Sequence, residues 1–326
     1  MKTATQISVA MCTYNGSKYL GEQLESIAKQ TRLPDELVIC DDRSSDTTQE
    51  IVRKFAETAP FEVRLIVNPE NLGSAKKGVT RNFEKASDLC RGEYIALCDQ
   101  DDRWLPEKLE RLAGVLQNKP EAGAVFSNAK IIDSQSKPTG ATLSEANGFT
   151  QSEDERLKAG KALPVLLSMT KVYGCTLMVR TEVIRKILPV PPSWWFDAWV
   201  ACMSAVVTRL EYVPEPLFCY RVHPSQQVGA SVATLSDRVK NMKNSAKDYW
   251  RDSEPQLKEL YERLEQQGDA RMEPYLDYLR GRLALLSMRA NLPENRLLRV
   301  GRILPHAQNY YRYFNGWRSI VKDLAT

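Results

Sequence analysis

The chain has 326 residues, 43% of them hydrophobic and 26% charged, with a formal net charge of +4; that is the profile of one large globular domain with an appendage, or of two domains. The charge is too small to imply nucleic-acid binding, two histidines exclude a His-rich metal site, and seven cysteines with no C-x-x-C pair argue against structural zinc and for a reducing compartment. There is no signal-peptide core and no apolar run of about 18 residues, so the expected location is the cytoplasm, with contact at the inner face of the membrane left open.

In chain order, apolar runs and helical spacing alternate. Residues 7–12 are predicted as a strand, and 19–28 as a helix with Leu20, Leu24 and Ile27 inward. A strand at 36–40 is followed by a helix at 46–59, a strand at 63–67, a helix at 77–89 and a strand at 94–98. Pro106 opens a helix with Leu109, Leu112 and Leu116 on one face, and 122–127 is a further strand. Such alternation predicts an α/β fold, a Rossmann-like, mostly parallel sheet flanked by helices. Residues 133–160 are polar and rich in Ser, Thr and Gly, the pattern of a long loop, and strands are expected at 172–180 and 212–220. From about Ser236 the chain turns helical and highly charged. The expected organisation is therefore a catalytic domain over 1–235, divided into halves at 128/129, and a helical extension over 236–326.

The strand at 94–98 ends in Asp99, Asp101 and Asp102. That is the carboxyl end, where open α/β sheets place their ligands. Three crowded carboxylates repel one another and stay ionised at low cost when a cation joins them; hard divalent metals prefer oxygen ligands. A metal held there can hold a diphosphate on its other side. A bare D-x-D is also compatible with a solvated acidic turn.

Other strand ends carry chemistry too. The first ends in Thr13-Tyr14-Asn15-Gly16, without the glycine turn of a nicotinamide site, and Gly73–Gly78 has the outline of a P-loop but Val79 where the lysine must stand. The second ends in Asp41-Asp42-Arg43-Ser44-Ser45-Asp46. A carboxylate there can accept the N3–H of a uracil or thymine, whereas Ser45 or Asp46 suffices to cap the next helix. Asp197 lies among Trp194, Trp195, Phe196 and Trp199; apolar surroundings raise a carboxyl pKa and suit it to accept a proton, and a helix cap in an aromatic patch is the plainer alternative. In Tyr220-Arg221-Val222-His223, the arginine is a phosphate candidate, and the histidine is either a metal ligand or a hydrogen-bonded structural group.

Together, Thr13–Gly16, Asp41–Asp46, Gly92-Glu93-Tyr94, Asp99-Gln100-Asp101-Asp102-Arg103-Trp104, Asp197-Ala198-Trp199 and Tyr220–His223 resemble the inverting family 2 glycosyltransferases of GT-A fold, in family order, across residues 7 to 230. The rhamnosyltransferase-like bacterial branch, which builds surface polysaccharides, is the most similar. The resemblance implies that Thr13, Tyr14 and Asp42 line a base pocket, with Asn15, Arg81, Asp99, Gln100 and Arg221 also on the nucleotide-sugar. It implies that Asp101 and His223 serve Mg²⁺ or Mn²⁺, and that Asp197 is the general base. Two departures stand out: Arg43 replaces the usual glycine after the paired acids, and Phe196 replaces a frequent histidine. The implied reaction moves a sugar from a nucleotide-sugar, dTDP-rhamnose first and UDP-galactose or UDP-glucose next, to a saccharide or lipid-linked saccharide. A metal-dependent nucleotidyltransferase or phosphatase, and a non-catalytic scaffold, are the alternatives. Residues 296–326 interleave Arg296, Arg299, Arg302, Arg312, Arg318 and Lys322 with Tyr310, Tyr311, Tyr313, Phe314 and Trp317. That composition suits an anionic membrane surface, or else packing on protein, including a second copy.

Overall fold

The computed structural model describes residues 5–73, 76–168, 170–224, 226 and 246–325. The chain divides into two compact units, Met1–Val232 and Ala233–Thr326.

The first unit opens with β1 (Ile7–Thr13), α1 (Ser17–Ala28), β2 (Glu36–Asp41), α2 (Thr48–Ala56), β3 (Glu62–Val67), α3 (Lys76–Asp88) and β4 (Tyr94–Cys98). It continues through β5 (Arg103–Trp104), α4 (Lys108–Asn118), β6 (Ala122–Ile132), β7 (Pro138–Thr142), α5 (Leu143–Ala146), α6 (Gln151–Lys158) and α7 (Ala162–Leu166). It closes with β8 (Leu177–Arg180), α8 (Thr181–Ile187), α9 (Phe196–Val207) and β9 (Arg209–Arg221). One sheet runs β3-β2-β1-β4-β8-β6-β9-β5, with β7 added on β6.

Strand β4 is buried along its whole length, which is why its sequence is continuously apolar rather than alternating. Helix α1 buries Leu20, Leu24 and Ile27, and α4 buries Leu109, Leu112 and Leu116, so both helical stripes face the sheet as their spacing requires. The pairings β3–β2, β2–β1 and β1–β4 are parallel. Beyond β4 the sheet is mixed: β4–β8, β8–β6, β6–β7 and β5–β9 are antiparallel, and β6–β9 is parallel. Strand order reverses at β1, which has β2 on one side and β4 on the other. That reversal opens a crevice at the strands' carboxyl ends, and it sets Thr13, Asp41 and Asp99 on neighbouring strand ends.

Two segments differ from the sequence reading. Residues 133–160 are not a long loop: they hold β7, α5 and α6. Thr142 with Glu145, and Thr150 with Glu153, form complete capping boxes that start the two helices. The T-x-x-E signature was present in the text, but the polar composition masked it. Residues 172–180 are a strand only from Leu177, after a 3₁₀ turn at Gly174–Thr176.

The second unit contains α10 (Ala246–Glu265), α11 (Glu273–Ala290), α12 (Arg296–Ile303), α13 (Ala307–Tyr313) and α14 (Trp317–Ala325), and no strand among the described residues. Leu285, Ile303, Tyr310 and Tyr313 form one hydrophobic cluster within it. Buried Arg289 grips Asp323 through two 2.7 Å bonds, and the Tyr310 hydroxyl donates to the same carboxylate at 2.6 Å. Among the described residues no helix is long and apolar enough to cross a membrane.

Candidate active site

A pocket of about 480 Å³ opens at the crevice, lined by Thr13, Tyr14, Asn15, Asp42, Asp99, Gln100, Asp101, Asp197 and His223 among others. These residues are more than 200 positions apart in sequence at the extremes. The β1, β2 and β4 ends, the start of α9 and the segment after β9 bring them together.

The β1 and β2 ends are stapled to each other. The Asp41 carboxylate accepts from the hydroxyls of Thr13 and Ser44, at 2.7 and 2.6 Å, and from the Ser44 amide and the Gln49 side chain. Asp41 therefore shapes the turn, a structural role the sequence did not reveal. Asp42 faces the pocket: its Oδ1 accepts from the Leu72 amide at 2.7 Å and from Asn68 at 3.1 Å. Asp46 accepts from the amides of Thr48 and Ser17. Asn15 and Arg43 have φ of 47° and 60°. The turn thus keeps the left-handed backbone that glycine takes without strain, although an arginine occupies it. The Arg43 guanidinium donates to the Pro69 carbonyl at 3.0 Å.

Gln100 ties β4 to β1. It accepts from the Tyr14 amide at 2.9 Å and donates to the Tyr14 carbonyl at 3.1 Å. A Cβ on Gly16 would stand 2.2 Å from Gln100 Oε1, so glycine is what lets this bracket close. Gly73 and Gly78, from the segment with a P-loop outline, also line the pocket, and a Cβ on Gly78 would meet the Gly73 carbonyl at 1.9 Å.

The three acids after β4 do not act alike. Asp99 and Asp101 line the pocket, whereas Asp102 is 1% exposed and does not. Asp102 Oδ1 accepts from the Arg221 amide at 2.9 Å. Lys108 is buried nearby, donating to the Cys175 carbonyl at 2.6 Å and lying 3.8 Å over the Trp104 ring. Burial lowers its ammonium to about 8. Burial, then the charge of Asp101, pushes the Asp99 carboxyl up to about 7, and burial and the charges of Asp101 and Asp99 raise Asp102 well above the usual carboxylate range. The sequence reading of three acids around one cation is corrected in this respect: Asp102 is turned inward.

Among the described residues, one set of three donors lies close enough together for a single cation, and a second pair faces the pocket. Asp99, Asp102 and Cys175 offer atoms within 4.8 Å of one another. Burial raises the Cys175 thiol well above its ordinary range, and a soft sulfur donor suits Mg²⁺ or Mn²⁺ less well than oxygen or imidazole. On the pocket side, His223 Nε2 lies 2.9 Å from Asp101 Oδ2, with Asp99 in the same lining. Carboxylates with an imidazole suit a hard divalent cation such as Mn²⁺ or Mg²⁺. Asp101 and His223 are the donors that face the pocket, while Asp99 lines it as well and Asp102 and Cys175 are buried behind it.

Asp197 sits in the first turn of α9, where the helix dipole favours a carboxylate. Trp195 occupies the N-cap, so Asp197 is not the cap. Its oxygens accept from the amides of Gly174 at 3.0 Å and Ala198 at 2.7 Å. Burial outweighs these bonds and raises its pKa. Phe196 stacks on Phe83 at 5.5 Å, and the Trp199 indole donates to the Ile187 carbonyl at 2.8 Å, which seats α9. The arrangement can place a proton acceptor, a cation-binding group and a nucleotide-sized cleft in one cavity.

Two expected donor contacts are not in the lining. Arg81 is exposed on α3 and lies outside the pocket. Arg221 is fully buried. Its guanidinium donates to the Asp101 carbonyl at 2.7 Å, Ser136 Oγ at 2.7 Å and Glu22 at 2.6 Å, leaving it no reach to a phosphate. It is a clamp behind the acidic turn. Conversely, Tyr19, Asn82, Tyr173 and Gln226 line the pocket without having been singled out. Asn82 lies inside the α3 stripe and donates to the Cys40 carbonyl at 2.9 Å, a contact that helical spacing alone does not announce.

The family model described as glycosyl transferase family 2 matches residues 8–188. An uncharacterised glycosyltransferase of Nostoc sp. is 29% identical over 72% of this chain and 71% of its own length. A dTDP-rhamnosyl transferase of Shigella flexneri, RfbG, is 27% identical over 68% of this chain and 75% of its own. Among solved structures, residues 1–349 of S. aureus TarS in complex with UDP-GlcNAc align over 98% of this chain and 88% of that one, with a TM-score of 0.55 and 18% identity. The mannosyltransferase PcManGT of Pyrobaculum calidifontis, in complex with GDP-Man and Mn²⁺, aligns over 99% and 85%, with a TM-score of 0.53 and 17% identity. Both structures share the fold. The chain spans about half, 49%, of the longer TarS structure and 59% of an uncharacterised Mycobacterium tuberculosis relative.

Proposed function

The chain belongs to glycosyl transferase family 2, and we propose that it transfers a sugar from a nucleotide-sugar to a saccharide hydroxyl with inversion at the anomeric carbon. The observation that carries this reading is the presence of a half-buried carboxylate, Asp197, in one pocket with Asp99, Asp101 and His223.

Residues 1–128 supply the donor side, through Thr13, Tyr14, Asn15, Asp42, Asp99 and Gln100; residues 129–235 supply the acceptor side, through Asp197. Asp42 accepts the N3–H of a uracil or thymine base, a charge-assisted bond. Asp101 and His223 would hold a divalent cation, Mg²⁺ or Mn²⁺, which would supply positive charge opposite the leaving diphosphate. Asp197 takes the proton from the acceptor hydroxyl as its oxygen forms a bond to the anomeric carbon and the diphosphate oxygen leaves from the opposite face. One displacement accounts for all atoms: the proton ends on Asp197, the electron pair on the nucleoside diphosphate. The raised pKa of Asp197 fits this work, because a stronger base is a better proton acceptor.

The likeness to the Shigella relative supports dTDP-rhamnose as donor. The proposed acceptor is a lipid-linked saccharide of a bacterial surface polysaccharide, met at the inner face of the membrane. The test is a thermal-shift panel of nucleotide-sugars with Mn²⁺, followed by NMR of the product linkage. A shift with dTDP-rhamnose larger than with UDP-hexoses or GDP-mannose, and an inverted product, are expected. Release of inorganic phosphate without glycoside, or a retained configuration, would overturn the reading.

A further inference from the structure

Large apolar side chains on the surface are concentrated in one stretch of the chain. Among the described residues, seven of the eight exposed large hydrophobics lie between Leu297 and Val321, the eighth being Val67. Leu297, at 83% exposure, Leu298 and Leu304 project from α12 and its end, and Trp317 and Val321 from α14. Isolated exposed apolar residues are normal, but a concentration of this kind marks an interaction surface.

The inward faces of the same helices are accounted for. Arg299 and Ile303, one turn apart, are the buried residues of α12; Ser319 and Asp323, also one turn apart, are those of α14. The Arg299 guanidinium donates to the Asp323 carbonyl at 3.2 Å, tying the two helices together, and Tyr310 ties α13 to α14 through the Asp323 carboxylate. Tyr311, itself exposed, is packed against Gly316, where a Cβ would come within 2.6 Å of its ring. The inner faces thus combine the apolar cluster of Ile303, Tyr310 and Tyr313 with the Arg299 and Tyr310 links to Asp323, while Leu297, Leu298, Trp317 and Val321 are left outside.

Charge decides the partner. Between residues 296 and 325 the sequence has one acid, Asp323. It is buried and neutralised by Arg289. Arg296, Arg302, Arg312 and Arg318 are all exposed. The surface charge of the segment is therefore wholly positive, and Arg318 lies 5.6 Å from the Trp317 ring centre. A second copy meeting this face through a two-fold axis would bring arginine against arginine with no acid to offset them. An anionic bilayer offers both phosphate charge and an apolar layer beneath it, which arginine beside tryptophan and leucine matches.

We propose that the outward faces of α12, α13 and α14 form a docking surface for anionic lipid bilayers. The proposal is independent of the donor, the acceptor and the catalytic residues. It is tested by flotation of the full chain with phosphatidylcholine vesicles and with vesicles containing phosphatidylglycerol. Binding to the anionic vesicles, weakened by high salt, is expected. Each of Arg302→Gln and Arg318→Gln should lower the partition coefficient about five-fold, the effect of about 1 kcal/mol per cation. Leu298→Ser with Trp317→Ser should also weaken it, with circular dichroism and Tm checking that the fold is kept; the arginine variants, being on the surface, carry the test if the apolar variant fails to fold. Equal binding to neutral vesicles, or no binding to either, would refute the proposal. So would a dimer in sedimentation velocity that the apolar pair of substitutions dissociates, since that would make the face a protein interface.

Discussion

Arg221→Met is expected to loosen the acidic turn from behind, with a cost that can be worked from its contacts. The guanidinium bonds the Asp101 carbonyl, Ser136 and Glu22, and the side chain is fully buried. Breaking a fully buried ion pair costs about 3–5 kcal/mol. Here the Glu22 side chain is 34% exposed and can rehydrate, so that contribution falls well below the range. The Ser136 hydroxyl keeps its bond to Glu22, whereas the Asp101 carbonyl loses this donor at about 1–3 kcal/mol, giving a total of about 3 kcal/mol. Methionine keeps most of the volume, so little cavity cost is added. For a unit of this size each kcal/mol lowers Tm by about 2–4 °C, so a fall of about 6–12 °C is expected in differential scanning fluorimetry. Donor affinity, read by isothermal titration, should fall as well, because Asp101 loses its support. Arg221→Lys separates a clamp from a direct phosphate contact: an ammonium can serve a phosphate but cannot reach in three directions at once. Lysine should therefore leave the loss of Tm largely in place. A methionine variant with unchanged Tm and selectively lost donor binding would refute the clamp.

Asp197→Asn should keep donor affinity and lose about 10²-fold or more in kcat. Burial raises the Asp197 pKa in the folded protein, so its ionisation costs stability as pH rises through that value, and kcat/KM falls as pH drops through it. The asparagine variant should accordingly gain Tm relative to the native protein at higher pH, and the gain should shrink toward acid; a gain independent of pH would count against the burial argument. EDTA should abolish the donor-dependent thermal shift, with Mn²⁺ or Mg²⁺ restoring it, and Asp101→Ala should stay folded while losing that metal dependence; full turnover by the native protein in EDTA would refute the metal assignment. At position 43 the left-handed φ of 60° predicts that Arg43→Gly is neutral within about 0.5 kcal/mol, strain relief offsetting chain entropy. Arg43→Val should cost about 1–2 kcal/mol in chemical denaturation, because a β-branched residue is strained there.

Much of this protein is legible in its sequence, for local reasons. The continuous apolar run of β4 and the Leu109, Leu112 and Leu116 stripe of α4 are set by burial and periodicity, which a sequence displays directly. The placement of ligands at strand carboxyl ends pointed to these turns, the family resemblance implied that Thr13, Asp42 and Asp99 share a site, and the structure places them in one pocket. Tertiary structure decided what has no local signature. Two aspartates three positions apart, Asp99 and Asp102, look alike in the text, yet one lines the pocket and the other is folded behind it against the Arg221 amide. Arg221 looks like a phosphate ligand until its partners appear, and these come from α1, the acidic turn and the segment before β7. A sequence shows which groups carry charge and where the chain turns. Which way each side chain points, and which distant backbone group consumes its hydrogen bonds, is fixed only when elements far apart in sequence pack, because hydrogen-bond partners must lie within about 3 Å of one another in space.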